Sequence, residues 1–295
     1  MMGRIVVIGD VMTDTIVRPH GPLIRGSDRA ATIRQHAGGS GANQAAWIAA
    51  LGGSVTFLGR VGRADHAAQS ELLARHGVQT MLAADADLPT GQLVTLLDPD
   101  GERSFLTDRG ANDALCAADL PDSALDGAAL LHVSGYSLFT PGPRAAVLHL
   151  VSSARQRGLP ATFDAASAAP LAETGAAQFF DWTAGADTLF ANLDEAEVLT
   201  GTADWTEQLA SLAPFYRTVV LKRGAAGAVA ATRTEFAEAP ATQVTPLDTT
   251  GAGDAFLAGF LTARLAGATL ADCLVSGVRQ GSIATQRLGG RPQTS

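Results

Sequence analysis

Cysteines, aromatic residues and long apolar runs are all scarce in this sequence of 295 residues. The two cysteines, Cys116 and Cys273, lie far apart and form no CxxC pair, so neither a redox pair nor a cysteine metal cluster is expected. No apolar run reaches the length of a membrane span, and the N-terminal residues lack a signal-peptide cleavage pattern. We therefore expect a cytoplasmic protein with reduced thiols and no membrane partner.

Basic residues are also few, and several well-known motifs are missing. The chain has 21 lysines and arginines against 29 aspartates and glutamates, so the net charge of −8 argues against a nucleic-acid partner. The six histidines show no zinc-site spacing such as HExxH. No GxSxG, no GxGxxG after the first strand and no GxxxxGK[ST] occurs. An α/β-hydrolase, a Rossmann dinucleotide site and a P-loop are therefore disfavoured.

The apolar residues, which make up 46% of the chain, fall into segments that alternate between strand and helix. The predicted strands are Arg4–Ile8, Val55–Leu58, Leu130–Ser134, Ala161–Asp164, Leu189–Asn192 and Thr218–Lys222. The predicted helices are Ala42–Leu51, His66–His76, Arg144–Arg157, Glu195–Thr200, Ala255–Leu265 and Leu270–Gln286. This alternation predicts an α/β fold, with a doubly wound, mostly parallel sheet and helices on both faces. Ligands of such sheets bind beyond the carboxyl ends of the strands.

Two segments do not fit the alternation and predict a small β-sheet lid. One contains the strands Leu93–Leu97 and Arg103–Thr107 on either side of the turn signal Asp98–Gly101. The other is the polar stretch Thr13–Gln35.

No linker composition divides the chain, so we expect a single domain over residues 1–295. Its lid is expected to come from about residues 13–36 and 92–112. The strand edges of the lid would favour pairing with a second subunit, and a homodimer through the lid is therefore expected.

The segment Asp248-Thr249-Thr250-Gly251-Ala252-Gly253-Asp254 immediately precedes a predicted amphipathic helix. A glycine-rich turn that opens a helix points free N–H groups in one direction, and the helix dipole adds partial positive charge, so the segment predicts an anion site. A carboxylate at position 254 would repel a bound phosphate, so its presence there needs a reason. It is explained if Asp254 takes the proton from a nucleophile that attacks this phosphate. The alternative is an aspartate that caps the helix.

A second glycine cluster, Gly38-Gly39-Ser40-Gly41-Ala42-Asn43, precedes the apolar helix near the N-terminus. Its glycines would let a ligand approach the backbone closely, and Asn43 can both donate and accept hydrogen bonds. Asp14, in the loop after the first strand, could accept hydrogen bonds from two hydroxyls of a polyol. The alternatives are a helix entry capped by Asn43 and an exposed turn aspartate at position 14.

Two further polar clusters come at the ends of predicted strands. Asn192 and Glu195 can share a water ligand of Mg²⁺, an ion that keeps several waters and takes few protein ligands. The alternative for Asn192 is a simple helix N-cap. In the segment Lys222-Arg223-Gly224-Ala225-Ala226-Gly227, the glycines would let a nucleotide pass close to the backbone.

Together these motifs carry a family resemblance. In their order and gaps, Gly38-Gly39-x-x-x-Asn43, Asn192-x-x-Glu195 and Asp248–Asp254 resemble the signatures of the ribokinase-like, or PfkB, carbohydrate kinase family. The match runs from about residue 4 to 291. The resemblance implies a ribokinase-like doubly wound domain with a β lid, and ATP-dependent phosphorylation of a hydroxyl of a small sugar.

The resemblance also implies a role for each of these residues. Asp254 is implied to be the catalytic base, and the groups that hold the transferring phosphoryl are the backbone N–H groups of Gly251, Ala252 and Gly253. The implied sugar ligands are Asp14, Gly38, Gly39 and Asn43. The implied ligands of Mg²⁺ and phosphate are Asn192 and Glu195. The implied nucleotide neighbours are Asn192, Lys222, Gly224, Gly227 and Gly253. A monovalent cation such as K⁺ would be held by Asp248, Thr250 and carbonyls near Ala284–Gly289.

Departures from ribokinase leave the acceptor open. Ser40 stands where ribokinase tends to have Lys. Gly135-Tyr136 stands near the position at which ribokinase has an acidic sugar ligand. Arg109 resembles the arginine with which kinases of 2-keto-3-deoxygluconate meet the substrate carboxylate, and it can equally pair with Asp108 or Asp113. The alternatives are therefore a sugar-acid kinase, a nucleoside kinase, which the 5% aromatic content disfavours, and a non-catalytic sugar-binding regulator, which would not need Asp254.

Overall fold

The computed structural model describes residues 3–97 and 103–293, so the turn predicted at Asp98–Gly101 lies outside the described residues. The strands are β1 (Arg4–Ile8), β2 (Met12–Pro19), β3 (Ala31–Gly38), β4 (Val55–Gly62), β5 (Gln79–Asp85), β6 (Gly91–Leu97), β7 (Arg103–Asp108), β8 (Ala128–Ser134), β9 (Ala161–Asp164), β10 (Thr188–Asn192), β11 (Thr218–Lys222), β12 (Ala228–Thr232) and β13 (Phe236–Ala239). The α-helices are α1 (Ser40–Ala50), α2 (His66–Ala74), α3 (Pro141–Gln156), α4 (Ala168–Thr174), α5 (Ala176–Thr183), α6 (Leu193–Thr200), α7 (Trp205–Leu212), α8 (Ala252–Leu265) and α9 (Leu270–Thr285).

The larger sheet has nine strands in the order β13-β12-β11-β10-β9-β8-β1-β4-β5. All neighbours from β11 to β5 pair in parallel, and only β12 and β13 add antiparallel pairs at one edge. The predicted doubly wound, mostly parallel sheet is confirmed. The short strands β12 and β13 were not predicted, because their alanine-rich segments lack the β-branched runs that mark the other strands.

The apolar core lies on both faces of this sheet. Along β1, Val6 and Ile8 point into a cluster that includes residues of α3, α4, α5, α6 and α7. Ile5 and Val7 point to the opposite face, where residues of α1, α2, α8 and α9 pack. Successive side chains of a strand alternate between faces, so a strand that is apolar at every position must be covered on both sides. Among the described residues, no helix combines the length and hydropathy needed to cross a membrane.

The smaller sheet has four strands in the order β3-β2-β6-β7 and contains the segments predicted as a lid. Strand β2 follows directly after the carboxyl end of β1, and it pairs antiparallel with β3 and parallel with β6. The strands stop at Asp108, before the end of the predicted lid segment. Beyond them, Asn112 is buried and binds both the N–H and the carbonyl of Val11 at 2.9 Å, so this end lies against the main body.

Candidate active site

The carboxyl ends of the parallel strands bring several polar side chains to one edge of the larger sheet. Asp10 follows β1, Asp164 ends β9, Asn192 ends β10 and Lys222 ends β11. The N-termini of α1 and α8 meet at the same edge, since Ser40 of α1 hydrogen-bonds to Asp254 of α8. A doubly wound sheet binds its ligands at this edge, and the polar groups gather where apolar packing ends.

The predicted anion turn is formed by Gly251 and the first turn of α8. Gly251 has a φ of 74°, and a Cβ there would lie 2.5 Å from the Cα of Gly290, so glycine is required for both reasons. The N–H of Ala252 donates to the carbonyl of Thr249 at 3.2 Å. In the described part of the chain, the N–H groups of Gly251 and Gly253 donate to no protein acceptor. Of the three predicted phosphoryl-binding groups, these two are therefore available to a ligand.

Asp254 lies in this first helical turn and is buried. Its Oδ1 accepts from Ser40 Oγ at 2.7 Å and from Gln44 Nε2 at 3.1 Å, and its Oδ2 accepts from Asn43 Nδ2 at 3.1 Å. Burial, together with the charge of Asp164, raises the pKa of Asp254 to about 7, although the hydrogen bond from Ser40 opposes the rise. A carboxylate with a pKa near neutrality is suited to general-base catalysis.

Gln44 connects Asp254 to a second buried carboxylate. Its Nε2 lies 3.4 Å from Asp164 Oδ2, and its Oε1 lies 3.1 Å from His132 Nε2. Burial lowers the pKa of His132 to about 4, so the ring is neutral at pH 7. Because the amide oxygen of Gln44 only accepts, His132 donates from Nε2, and its Nδ1 accepts from Thr162 Oγ at 2.9 Å.

Lys222 is the one lysine in the whole sequence, and it points into this site. Its Nζ donates to Asp164 Oδ1 at 2.9 Å, and it lies 3.4 Å from the position that a Cβ on Gly253 would occupy. Despite burial, the charges of Asp164 and Glu195 raise the pKa of Lys222, so the ammonium stays charged beside the anion turn.

Asn192 and Glu195 form a capping box at the start of α6. Glu195 N–H donates to Asn192 Oδ1 at 2.8 Å, while the Glu195 carboxylate accepts from the backbone N–H and the side-chain amide of Asn192, both at 2.8 Å. The N-cap interpretation of Asn192 is thus what the structure shows. Burial raises the pKa of Glu195, and the charge of Lys222 lowers it.

The predicted sugar ligands meet where the lid joins the main sheet. Asp14, on β2, is buried, and a Cβ on Gly38 would lie 2.3 Å from its carboxylate, so only glycine fits beside it. Gly39 is the N-cap residue of α1, and Asn43 lies in the first turn of that helix. Burial and the charge of Asp10 raise the pKa of Asp14 to about 6.

Arg109 lies at the edge of the site and already has a partner. Its Nε donates to Asp113 Oδ1 at 3.0 Å, and its guanidinium lies 5.7 Å from the ring centre of Tyr136. Of the two interpretations of Arg109, pairing with Asp113 is therefore the one that this structure shows.

Asp248 ties two loops together behind the anion turn. Its Oδ1 accepts from the N–H and the Oγ of Thr250 at 3.0 and 2.7 Å, and its Oδ2 accepts from the N–H of Gly289 at 3.0 Å. The residues predicted to hold a monovalent cation are thus brought together.

A cavity of about 450 Å³ opens beside the anion turn. Its lining includes all the predicted nucleotide neighbours, which are Asn192, Lys222, Gly224, Gly227 and Gly253. Phe256, Val278 and Val244 add an apolar wall. A mostly apolar cleft of this volume with a few polar groups at one end is typical of a small-molecule site.

Comparison with known proteins decides the family. A model of the pfkB family carbohydrate kinases matches residues 2–295. The chain belongs to this family. It is 32% identical to a fructokinase of Klebsiella pneumoniae, over 88% of this chain and 84% of that protein. It is 29% identical to an ATP-dependent ribose-1-phosphate kinase of Halopiger xanaduensis, over 98% of this chain and 94% of that protein.

Solved structures agree with the sequence relatives. The fold is similar to that of a probable sugar kinase protein from Rhizobium etli CFN 42, with a TM-score of 0.90, 26% identity and coverage of 100% of this chain and 96% of that one. The pfkB carbohydrate kinase family, the ribokinase-like fold and the reaction class predicted from the motifs are confirmed. The protein is a sugar kinase, a phosphotransferase that has an alcohol group as acceptor.

Sequence reasoning did not assign a role to Asp10, Ser40, Gln44, His132 or Asp164, which the structure places at this edge of the sheet, nor to Arg291, whose Nη2 donates to the carbonyl of Gly38 at 3.0 Å. Asp164 closes a strand that was predicted, and its position at the carboxyl edge was a usable signal. Ser40 and Gln44 are four residues apart in α1 and therefore lie on the same face of that helix. Arg291 lies beyond the last predicted helix, and no local pattern marks it.

Proposed function

We propose that this kinase transfers the γ-phosphoryl group of ATP to a hydroxyl of a small sugar, with Asp254 as the general base. One observation carries the proposal: the buried Asp254 carboxylate directly follows Gly253, whose N–H has no protein acceptor among the described residues. A base and an anion site lie side by side, as phosphoryl transfer to an alcohol requires. The Halopiger xanaduensis relative is named as ATP-dependent, which supports ATP as the donor.

The proposed reaction follows from these neighbours. Asp254 accepts the proton of the sugar hydroxyl while the hydroxyl oxygen forms a bond to the γ-phosphorus of ATP. The bond between that phosphorus and the ADP oxygen breaks, and ADP leaves. The N–H groups of Gly251 and Gly253 and the ammonium of Lys222 stabilise the negative charge on the phosphoryl oxygens. Asp14, Gly38, Gly39 and Asn43 position the sugar, and the cavity next to the anion turn takes the nucleotide.

Mg²⁺ is the metal that the family implies, and the donor set fits it through water. Among the described residues, no group of three His, Cys, Asp or Glu side chains could hold a metal directly. Asn192 lines the cavity, and the capping box holds the buried Glu195 carboxylate beside it, an arrangement that suits an ion that keeps most of its waters and takes few protein ligands. Bound Mg²⁺ would neutralise charge on the phosphate oxygens.

Glu195→Gln should therefore weaken the magnesium dependence more than sugar binding. Loss of a group that orients metal-bound water raises the Mg²⁺ concentration for half-maximal turnover by about 10- to 100-fold. Titration of Mg²⁺ at saturating sugar measures this, with Glu197→Gln, an exposed glutamate of the same helix, as the matched control. An unchanged magnesium curve with a raised sugar KM would place Glu195 in the sugar site instead.

Two smaller proposals accompany this function. Asp248 and Thr250 are the proposed monovalent-cation ligands, and turnover in K⁺ against a large organic cation tests them. A cytoplasmic location is supported by the two free thiols, Cys116 and Cys273, of which the first is exposed.

A panel of acceptors tests the proposed function directly. ADP release from ATP is measured with neutral pentoses and hexoses, sugar acids, sugar phosphates and nucleosides. A nucleoside kinase is the second candidate because of Phe105, which is 58% exposed and shares a lid face with Asp14. An aromatic ring there could stack on a base. A panel without any sugar-dependent ADP release would overturn the proposal.

The outer face of the lid supports the proposed homodimer. Ile33 and Leu106 are 55% and 61% exposed, and strand register places them with Val17 and Val94 on the face opposite Asp14. Exposed apolar side chains on an open sheet favour association. We expect Ile33→Glu with Leu106→Glu to convert the dimer to a monomer in sedimentation measurements, while Val275→Glu, at an exposed site on α9, leaves it dimeric. A monomeric wild-type protein at micromolar concentration would contradict the dimer.

A further inference from the structure

Arg291 carries a buried guanidinium with unused donors. Its Nη2 donates to the carbonyl of Gly38 at 3.0 Å. Gly38 is also the residue that lies against the Asp14 carboxylate. Its Nε and Nη1 are buried and, in the described part of the chain, find no hydrogen-bond partner. Buried donors of a charged group are rarely left unpaired, so these two donors point to a ligand.

Unused acceptors lie in the same place. Asp14 Oδ1 and Asn43 Oδ1 are also buried without a hydrogen-bond partner. Gly38 lies against Asp14, and a Cβ on Gly290, the residue before Arg291, would lie 2.3 Å from Asn43 Nδ2. Two donors and two acceptors are therefore left open on side chains that meet around Gly38 and Gly290.

We propose that Arg291 is a specificity-determining residue of the acceptor site, where it and Asp14 together hold hydroxyl groups of an uncharged sugar. This inference rests on the proposed function and adds the class of acceptor. A hydroxyl both donates and accepts, so one hydroxyl can pair with a carboxylate and a guanidinium at once. A carboxylate or phosphate oxygen only accepts, so it could pair with Arg291 but not with Asp14 Oδ1 or Asn43 Oδ1.

The charges around the site favour the same class. The carboxylates of Asp10, Asp14, Asp248 and Asp254 border it, and their summed field disfavours an additional anionic group. Burial lowers the pKa of Arg291 to about 10, while the charge of Asp14 opposes this change. In return, Arg291 lowers the pKa of Asp14 against burial and the charges of Asp10 and Asp248. Among the described residues, no ion pair within 4.0 Å joins the two side chains, so neither side chain serves as the hydrogen-bond partner of the other.

The test compares Arg291→Gln and Arg291→Lys with Arg279→Gln, which removes an exposed arginine of α9. With the best neutral sugar of the panel, we expect Arg291→Gln to raise the sugar KM by about 10- to 100-fold, since charge-assisted hydrogen bonds to the hydroxyls are lost. The KM for ATP and kcat should change by less than about threefold on the same reasoning, because Arg291 does not line the nucleotide cavity and, among the described residues, forms no hydrogen bond to the anion turn. Arg291→Lys keeps the positive charge, and its sugar KM should lie between those of the wild type and of Arg291→Gln.

A pH profile separates binding from a merely structural role. The sugar affinity of the wild type, taken as 1/KM, should fall as the pH drops through about 6, where Asp14 becomes protonated. Because Arg291 holds this pKa down, its removal should move the midpoint to higher pH. Arg279→Gln should leave the midpoint in place. Should Arg291→Gln fail to fold, as judged by its thermal transition, the same measurements on Arg291→Lys carry the test.

The outcomes distinguish this inference from the proposed function. Loss of activity confined to sugar phosphates or sugar acids, with neutral sugars unaffected, would overturn the hydroxyl assignment and make Arg291 an anion site. Unchanged sugar KM and pH midpoint in both Arg291 variants would overturn the inference while leaving the kinase assignment intact. If the wild type phosphorylates no acceptor of the panel, the proposed function fails, and sugar binding by calorimetry then decides the role of Arg291 by itself.

Discussion

Asp254→Asn should keep the fold and ATP binding but lower kcat by about 10²- to 10⁴-fold, the usual effect of a lost general base. The carboxylate accepts hydrogen bonds from Ser40, Gln44 and Asn43, and an asparagine can accept on one oxygen only. Asn43 can rotate its amide to accept from the new NH₂ group, because its own Oδ1 has no hydrogen-bond partner among the described residues. The site can therefore accommodate the substitution without unfolding.

Single-turnover and steady-state ADP release measure the effect, and the KM for ATP and the thermal transition report on the fold. The matched control is Asp181→Asn, which removes an exposed carboxylate on α5. Turnover of Asp254→Asn near that of the wild type would remove Asp254 from the chemistry. Its role would then be structural, through the hydrogen bonds that it accepts from Ser40, Asn43 and Gln44, since Gly251 is the N-cap of α8.

The parallel part of the fold could be predicted because its signals are local. Buried strands such as Arg4–Ile8 and Thr218–Lys222 are short β-branched runs, and glycine-rich turns mark where helices begin. Helix α8 nevertheless begins at Ala252, three residues before the predicted Ala255, because the turn glycine at 251 already serves as its N-cap. This shift matters, since it places Asp254 inside the helix and beside its N-terminal dipole.

The polar connections of the site could not be predicted, because they join residues that are remote in sequence. Gln44 and Asp254 are 210 positions apart, and Arg291 and Gly38 are 253 apart. No spacing rule relates such pairs, and only the packing of α1 against α8 and of the C-terminal loop against β3 brings them together. Glycine motifs located the site, whereas the hydrogen-bond network that tunes its base required the fold.

Lys222→Met should lower the free energy of unfolding by about 3–5 kcal/mol, the usual effect of removing one partner of a buried ion pair. Lys222 Nζ pairs with Asp164 at 2.9 Å, and both side chains are largely buried, with exposures of 14% and 8%. The loss leaves the Asp164 carboxylate without its cation. Urea unfolding measures the change, and Arg217→Met, an exposed residue just before β11, is the control. The double variant Lys222→Met with Asp164→Leu should recover much of the stability, since no unpaired charge then remains.

The same two variants should shift the pH dependence of turnover to different extents. The charge of Lys222 lowers the pKa of Asp254, and the charge of Asp164 raises it. Loss of Lys222 alone therefore raises the pKa of Asp254 above about 7, and the acidic limb of kcat/KM should shift to higher pH because the base acts only when deprotonated. Removal of Asp164 as well cancels most of this shift. Turnover should nevertheless stay low in the double variant, since no ammonium remains beside the anion turn. If the acidic limb of kcat/KM keeps its wild-type midpoint in both variants, that midpoint does not report the pKa of Asp254. The ionisation that limits turnover then belongs to another group.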